Sequence, residues 1–397
     1  MVRSYDVCCS GDQFKLVKRA NNIPPFDVVQ QYEEIRDRVS EAALEILASG
    51  RYIGGSPVAD FEKQFADYVG VSDAIACNSG TDALYLALRA LEIGPGDEVI
   101  VPPFTFIATA EVVSEVGATP VFVDIEPTSF NLDPALVEAA ITSKTRAIIP
   151  VHLFGHPADM TLLMAVAGKH NLAVIEDCAQ ATGAKWAGES VGSIGPIGCF
   201  SFYPTKNLGG CGDGGMVTTN DAAIAAKIRS LTNHGSRERY FHEAIGINSR
   251  LDAIQAAILQ IKLSHLDRWN EKRSAVAARY SQLLAGIPGL TLPTVSEKAE
   301  SVWNQYTIRI ESANANLGGE NPRDWVRSQL QEQGIGSAIY YPLPLHLQPV
   351  YEPLGYQKGQ FPVSEQAAQT VLSLPMFPEL QPEQQEAVAY ALKECLS

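Results

Sequence analysis

Apolar residues fall into short blocks separated by helix-patterned polar stretches from about residue 28 onward. The segment VVQQYEEIRDRVSEAALEIL carries Val29, Tyr32, Ile35, Val39, Ala43 and Ile46 at helical spacing, and Gly50 follows as a stop signal. Five aliphatic runs come next, at Ala74–Cys77, Glu98–Val101, Pro120–Val123, Ala147–Val151 and Ala173–Ile175, each bounded by Gly, Pro, Asp or Asn. Between them, 82–91, 108–115, 134–141 and 159–170 have helical character. Near-continuous aliphatic runs alternating with single helices predict buried parallel strands joined by crossovers. In such sheets ligands gather beyond the carboxyl ends of the strands. From Leu251 to about residue 285 the pattern predicts one long amphipathic helix. After a turn at GIPGLTLPTV the texture changes to a strand at Asn304–Ile310, a helix at Arg323–Gln333, a Pro/Tyr-rich loop at Tyr340–Pro353 and a closing helix. The fold class expected is α/β, with a large, mostly parallel α/β/α domain over 23–270 and a smaller α+β domain over 271–397. Residues 1–22 read as a poorly ordered extension.

Composition narrows the classes of function. The 397 residues are 46% hydrophobic and 19% charged, which is ordinary for a globular chain. No apolar run approaches the length of a membrane span, and the first twenty residues lack the apolar stretch of a signal peptide. With 30 Lys and Arg against 45 Asp and Glu, the net charge is −15. A field of that sign repels phosphate backbones and anionic lipid, so neither nucleic acid nor membrane is expected as a partner. The seven cysteines form no C-x-x-C pair, which predicts reduced thiols, no metal site and a cytoplasmic location.

Three segments carry candidate chemistry. In NSGTDAL (78–84) a strand ends, Gly80 allows a tight turn, and a helix begins at Thr81 or Asp82. The free N–H groups of such a first turn make a phosphate cradle, although Ser79 or Thr81 could equally be a simple helix cap. In AVIEDCAQ (173–180) two acids end a strand that should be central. Asp177 would face the cleft and pair with a cation, or else cap the next segment, and Gln180 could meet the same ligand. In FSFYPTKNLGGCGDGGM (200–216) Lys206 stands between aromatic strand residues and a glycine-dense loop, a setting that desolvates the amine and fits a Schiff-base lysine. Gly210, Gly212 and Gly215 match a dinucleotide fingerprint only formally, because MVTTN after them reads as a strand where the fingerprint requires a helix. A cradle, an acid for a ring nitrogen and a buried lysine together are the polar set of a pyridoxal phosphate (PLP) site.

These residues stand in segments that resemble the sugar aminotransferases of the DegT/StrS type, fold type I PLP enzymes. The resemblance runs from about Ile23 to the C-terminus and includes NSGTDAL, PPFTFIATA (102–110), GATPVFVDI (117–125), PVHLFGHPADM (150–160), EDCAQATGA (176–184), SFYPTKNLGGCGDGGM (201–216), NHGS (233–236), GINSRLDAIQAAIL (246–259) and VLSLPMFPEL (371–380). It implies Lys206 as the lysine that joins PLP and Asp177 as the partner of its ring nitrogen. It places Phe106 against the ring face and Gln180 near the ring oxygen. Gly80, Thr81 and Ser201 would hold the phosphate. Asn248 would reach the phosphate of a neighbouring chain's cofactor, which implies a homodimer with shared active sites. Without the resemblance, Phe106 reads as a core aromatic and Asn248 as a turn residue.

The activity implied is transfer of an amino group from L-glutamate or L-glutamine to a nucleotide-linked keto sugar, best matched to a 3-oxo sugar. A 4-oxo sugar aminotransferase and a non-catalytic regulatory protein on the same fold are the alternatives. Lys206 argues against the dehydrating branch of the family, which carries His in its place. A nicotinamide-dependent oxidoreductase would need an early strand, G-x-G-x-x-G and helix, and the sequence has none. Arg237, Arg239, Tyr240, His242 and Arg250 are donors for an anionic diphosphate or partners in surface ion pairs, and His152 and His346 read as structural or functional alike.

Overall fold

The structure is a computed structural model that describes residues 22–312 and 319–396. The expectation for residues 1–22 lies outside the described residues, Asn22 apart. Helix α1 (Val28–Ser49) opens with Asp27 accepting from the N–H groups of Val29 and Gln30 and ends at Gly50, whose φ of 65° is left-handed. α2 (Ser56–Val69) follows, then β1 (Asp73–Cys77), α3 (Gly80–Ala90), β2 (Glu98–Val101), α4 (Ala108–Glu115), β3 (Thr119–Phe122), α5 (Pro134–Val137), β4 (Thr145–Ile148), α6 (Met160–His170) and β5 (Ala173–Asp177). The small strands β6 (Lys185–Trp186) and β7 (Glu189–Ser190) precede β8 (Ile197–Ser201), β9 (Gly215–Thr219), α7 (Ala222–Leu231), the hairpin β10 (Ser236–Glu238) and β11 (Phe241–His242), and α8 (Ala253–Leu263).

Seven strands form the main sheet in the order β1-β9-β8-β5-β4-β2-β3. Its pairings are parallel except that β9 runs against both β8 and β1. β1 therefore points the same way as the five others, and their carboxyl ends share one edge of the sheet. Successive strand residues face opposite layers. Ile75 and Cys77 pack with Leu86, Val113 and Ile228 from α3, α4 and α7. Ala74 and Ala76 pack with Phe61, Phe65 and Leu259 from α2 and α8. The two-sided burial explains the near-continuous aliphatic runs in sequence, and it makes three layers, α/β/α.

The single helix expected over 251–285 is two. α8 ends at Leu263 and α9 (Leu266–Leu284) begins after two intervening residues. At the break the Ser264 hydroxyl donates to the Ile261 carbonyl at 2.7 Å, and the turn lets both Leu263 and Leu266 reach the core. Trp269 packs beside α1, while Val276 and Tyr280 of the same helix enter a second core. That second core also holds β12 (Leu290–Thr291), β14 (Tyr306–Ile310), α10 (Pro322–Glu332), β15 (Val371–Leu374) and α12 (Pro382–Leu396), with Ile23 from the other end of the chain. Strand β13 (Ala299–Glu300) pairs with β6, and α11 (Pro362–Thr370) completes the elements. Two buried side chains brace these elements. Arg273 donates to the carbonyls of Trp303, Asn304 and Met376. Asp124, just after β3, accepts from the Val363 and Ser364 N–H groups and the Ser364 hydroxyl at the start of α11. Among the described residues no helix is long and apolar enough to cross a membrane.

Candidate active site

β5 is the middle strand of seven, and Asp177 is its last residue. The Asp177 backbone is clasped by β4's continuation: its N–H donates to Pro150 O at 2.9 Å and its carbonyl accepts from His152 N–H at 3.0 Å. Its side chain is buried. Oδ2 accepts from the Thr109 hydroxyl at 2.9 Å and Oδ1 from Ala179 N–H at 3.1 Å. Burial pushes the carboxyl up from its ordinary value, and the Ala179 and Thr109 donors, with the field of Lys206, pull the other way. A carboxylate in that position, given only neutral donors, is suited to a cationic partner.

Lys206 lies beyond β8 in a loop folded back on itself. Gly210 N–H donates to Phe202 O, and a Cβ on Gly209 would lie 2.3 Å from Pro204 O, so only glycine permits the turn. The lysine is half-buried, and Nζ has no hydrogen-bond or ion-pair partner among the described residues. Burial lowers its amine from 10.5 to about 8, against an upward pull from Asp177. At Gly215 the chain enters β9, a strand, where the dinucleotide fingerprint requires a helix.

The cradle forms where β1 meets α3. Ser79 is the cap, its Oγ accepting from Asp82 N–H at 3.0 Å, so the helix starts at Gly80 rather than at Thr81 or Asp82. The N–H groups of Gly80 and Thr81 have no acceptor among the described residues. Ser201 closes the cradle: a Cβ on Gly80 would sit 2.7 Å from Ser201 Cβ. Gly215 pairs with both Cys77 and Ser201, which draws the ends of β1 and β8 to either side of one glycine. Ser249 locks the cradle from α8's approach, accepting from Asn78 N–H and donating to Asp82.

Phe106 is 57% exposed at the sheet edge, so the core-aromatic reading of it does not hold. Its ring centroid is 6.3 Å from that of Tyr341. Gln180 is buried and engaged at both ends, accepting from Phe154 N–H and donating to the Tyr341 hydroxyl at 3.3 Å. Asn248 is exposed, its backbone bridging Asn233. The basic candidates lie on or beside the β10–β11 hairpin. Arg237 pairs with Glu243, Arg239 lies over the Tyr240 ring, His242 Nδ1 meets His234 O, and Arg250 donates to Asn233. His346 is buried against Glu365.

His152 is buried and structural in its contacts. Nδ1 accepts from Ala158 N–H, which leaves Nε2 to donate to Glu176 at 3.0 Å. Glu176 also accepts from the N–H groups of Gly192, Ile194 and Gly195. His152, Glu176 and Cys178 are close enough to bracket an ion, but these bonds already use the ring nitrogens and the carboxylate.

Thr109, Tyr341 and Ser249 escaped the sequence reading. Thr109 had a usable signal, because it stands three residues after Phe106, in the first turn of α4. Tyr341 had none, since only tertiary packing brings the 340–353 loop over the sheet edge.

Comparison with known proteins adds an independent line. The model of the DegT/DnrJ/EryC1/StrS aminotransferase family matches residues 33–393. A Geobacillus stearothermophilus protein named as a pleiotropic regulatory protein is 49% identical, over 94% of this chain and 98% of that one. An Acidithiobacillus ferrooxidans protein named as a UDP-N-acetyl-3-dehydro-alpha-D-glucosamine 3-aminotransferase is also 49% identical, with the same coverage. Among solved structures, that of DesV from Streptomyces venezuelae in complex with a ketimine intermediate superposes with a TM-score of 0.90 at 47% identity, covering 94% of this chain and 98% of that one.

Proposed function

The chain belongs to the DegT/DnrJ/EryC1/StrS aminotransferase family, and from that premise we propose that it transfers an amino group from L-glutamate or L-glutamine to ring carbon 3 of a nucleotide-linked 3-oxo sugar. The fold is that of the fold type I PLP enzymes, and the family's aminotransferases depend on PLP. The residues present fit that cofactor. The observation that carries the reading is Asp177 and Lys206, both desolvated and acting on each other's charge, beside a helix start with two free N–H groups.

In this reading Gly80, Thr81 and Ser201 hold the phosphate, and the missing Cβ at Gly80 lets Ser201 close against the helix start. Phe106 covers a ring face, and Gln180 stands at the ring's edge. Asp177, whose carboxylate form the Thr109 and Ala179 donors favour against the push of burial, would favour a protonated ring nitrogen. When bound, the cofactor supplies an electron sink for the charge left as a proton leaves Cα of the amino donor. Lys206 Nζ takes that proton. An amine at about 8 is close to neutral pH, where a base is both free and strong enough to act. Asn248, exposed and turned from its own core, serves a second copy of the chain, so the working unit is a homodimer with shared sites.

Support for carbon 3 comes from the name of the Acidithiobacillus relative, a 3-aminotransferase of a 3-dehydro sugar. The name of the Geobacillus relative favours a second reading, a regulator on the same fold. The visible absorbance of the purified protein with PLP separates the outcomes. A band that bleaches with L-glutamate and is lost in Lys206→Ala supports the transaminase. A protein that stays colourless with PLP overturns it, and bleaching with no turnover on 3-oxo or 4-oxo nucleotide sugars favours the regulator.

A further inference from the structure

Three asparagines form a buried chain beneath the loop that carries Lys206. Asn207 is 3% exposed, and its Nδ2 donates to Asn270 Oδ1 at 2.7 Å and to Val302 O at 2.8 Å. Its Oδ1 accepts from Asn304 Nδ2 at 2.7 Å. Asn304 Nδ2 gives its other hydrogen to Thr205 O at 3.4 Å. At the far end Asn270 Nδ2 donates to Thr182 O at 3.1 Å. Because both hydrogens of Asn207 and of Asn304 are used, the sense of each amide is fixed: neither can turn over without setting oxygen against oxygen.

The chain grips the backbone on both sides of Lys206, through the carbonyl of residue 205 and the side chain of residue 207. Its anchors lie elsewhere, on α9 through Asn270 and ahead of β14 through Val302 and Asn304. Arg273 fixes the Asn304 carbonyl in turn. We propose that Asn207 and Asn304 are positioning residues, which hold the Lys206 loop closed against water and set the direction from which its amine reaches the cofactor. The inference rests on the role given to Lys206 above. Its physical content is that the lysine's setting depends on a polar chain anchored on α9 and on the 302–304 segment, not on the loop's own glycines alone.

Asn304→Leu keeps size and charge while removing both donations, and Asn304→Ser is a smaller change that keeps a hydroxyl in place. Thr307→Val is the comparator. It removes the buried 2.9 Å hydroxyl pair with Ser373 just along the same segment without touching the chain. Site-resolved amine labelling of the full-length protein across pH, carried out free of cofactor, reads Lys206 directly. The wild-type midpoint is expected near 8. Both Asn304 variants should move it up by about one unit as water enters, and Thr307→Val should leave it in place. In the PLP-loaded protein, kcat for the L-glutamate half-reaction should fall about tenfold with KM unchanged. Asn304 variants that titrate as wild type, or a Thr307→Val midpoint that moves equally, would overturn the inference. A wild-type protein that takes up no PLP would overturn the proposed function instead, while the labelling midpoints still decide the role of the asparagines.

Discussion

Glu176 and Asp177 are adjacent at the end of β5 and lie on opposite faces of it, with opposite consequences. Glu176 accepts from three backbone N–H groups and the His152 ring, and is wholly enclosed. Among the described residues the Asp177 side chain meets only Thr109 and Ala179 as hydrogen-bond donors, and it keeps acceptor capacity at the sheet edge. One acid knits the 190–195 loop to the sheet, and its neighbour is left for a ligand.

Glu176→Gln should therefore cost stability rather than chemistry. The new amide would set N–H groups against N–H groups in a buried site, at a cost of about 3 kcal/mol. Denaturant unfolding of the PLP-loaded protein checks this, and the absorbance spectrum should stay as in wild type.

Thr109→Val removes the only side-chain donor to Asp177 among the described residues while keeping side-chain size. That hydroxyl favours the ionised carboxylate, so its loss raises the Asp177 value further. The acid limb of the kcat/KM profile for L-glutamate should move to higher pH by about one unit, since a hydrogen bond to a charged group is worth about 1.5–3 kcal/mol.

Gly80→Ala brings a Cβ to 2.7 Å from Ser201 Cβ and 3.2 Å from its Cα, so backbone must shift at the proposed phosphate cradle. PLP affinity should weaken by about tenfold or more, the scale of one lost charge-assisted hydrogen bond. Equilibrium dialysis of PLP against the variant measures it.

Lys206→Met should stabilise the cofactor-free protein. Burial lowers the Lys206 amine from 10.5 to about 8, so at neutral pH folding carries the cost of a desolvated ammonium. That cost is fully present below pH 8. It falls as pH rises from 8 towards 10.5, where the native amine has lost its proton and the unfolded one still holds it. The melting temperature of the Met variant should exceed that of wild type at pH 7, and the gap should close by pH 10.

The first body of the fold was readable because buried parallel strands need aliphatic side chains on both faces. Glu98–Val101 and Ala108–Glu115 emerge with the bounds their sequence patterns suggest, and Gly50 ends α1 as a left-handed cap. The expected single helix over 251–285 failed at Ser264, because amphipathic periodicity continues through a break when both flanking leucines must be buried. The placing of β9 antiparallel between β1 and β8 was also invisible, since a strand's sequence does not record the direction of its neighbours.

The same division holds at the site. By itself the sequence determined which groups were available: a lysine before glycines, an acid ending a central strand and a glycine opening a helix, each marked by a residue type that is costly elsewhere. Only the tertiary structure decided how they are used. It set the two acids of β5 on opposite sides, brought Thr109 and Tyr341 to the sheet edge, and ran the asparagine chain beneath Lys206. Those relations depend on contacts across 97 positions between Asn304 and Asn207 and across 161 between Tyr341 and Gln180, and are made by packing that no local pattern encodes.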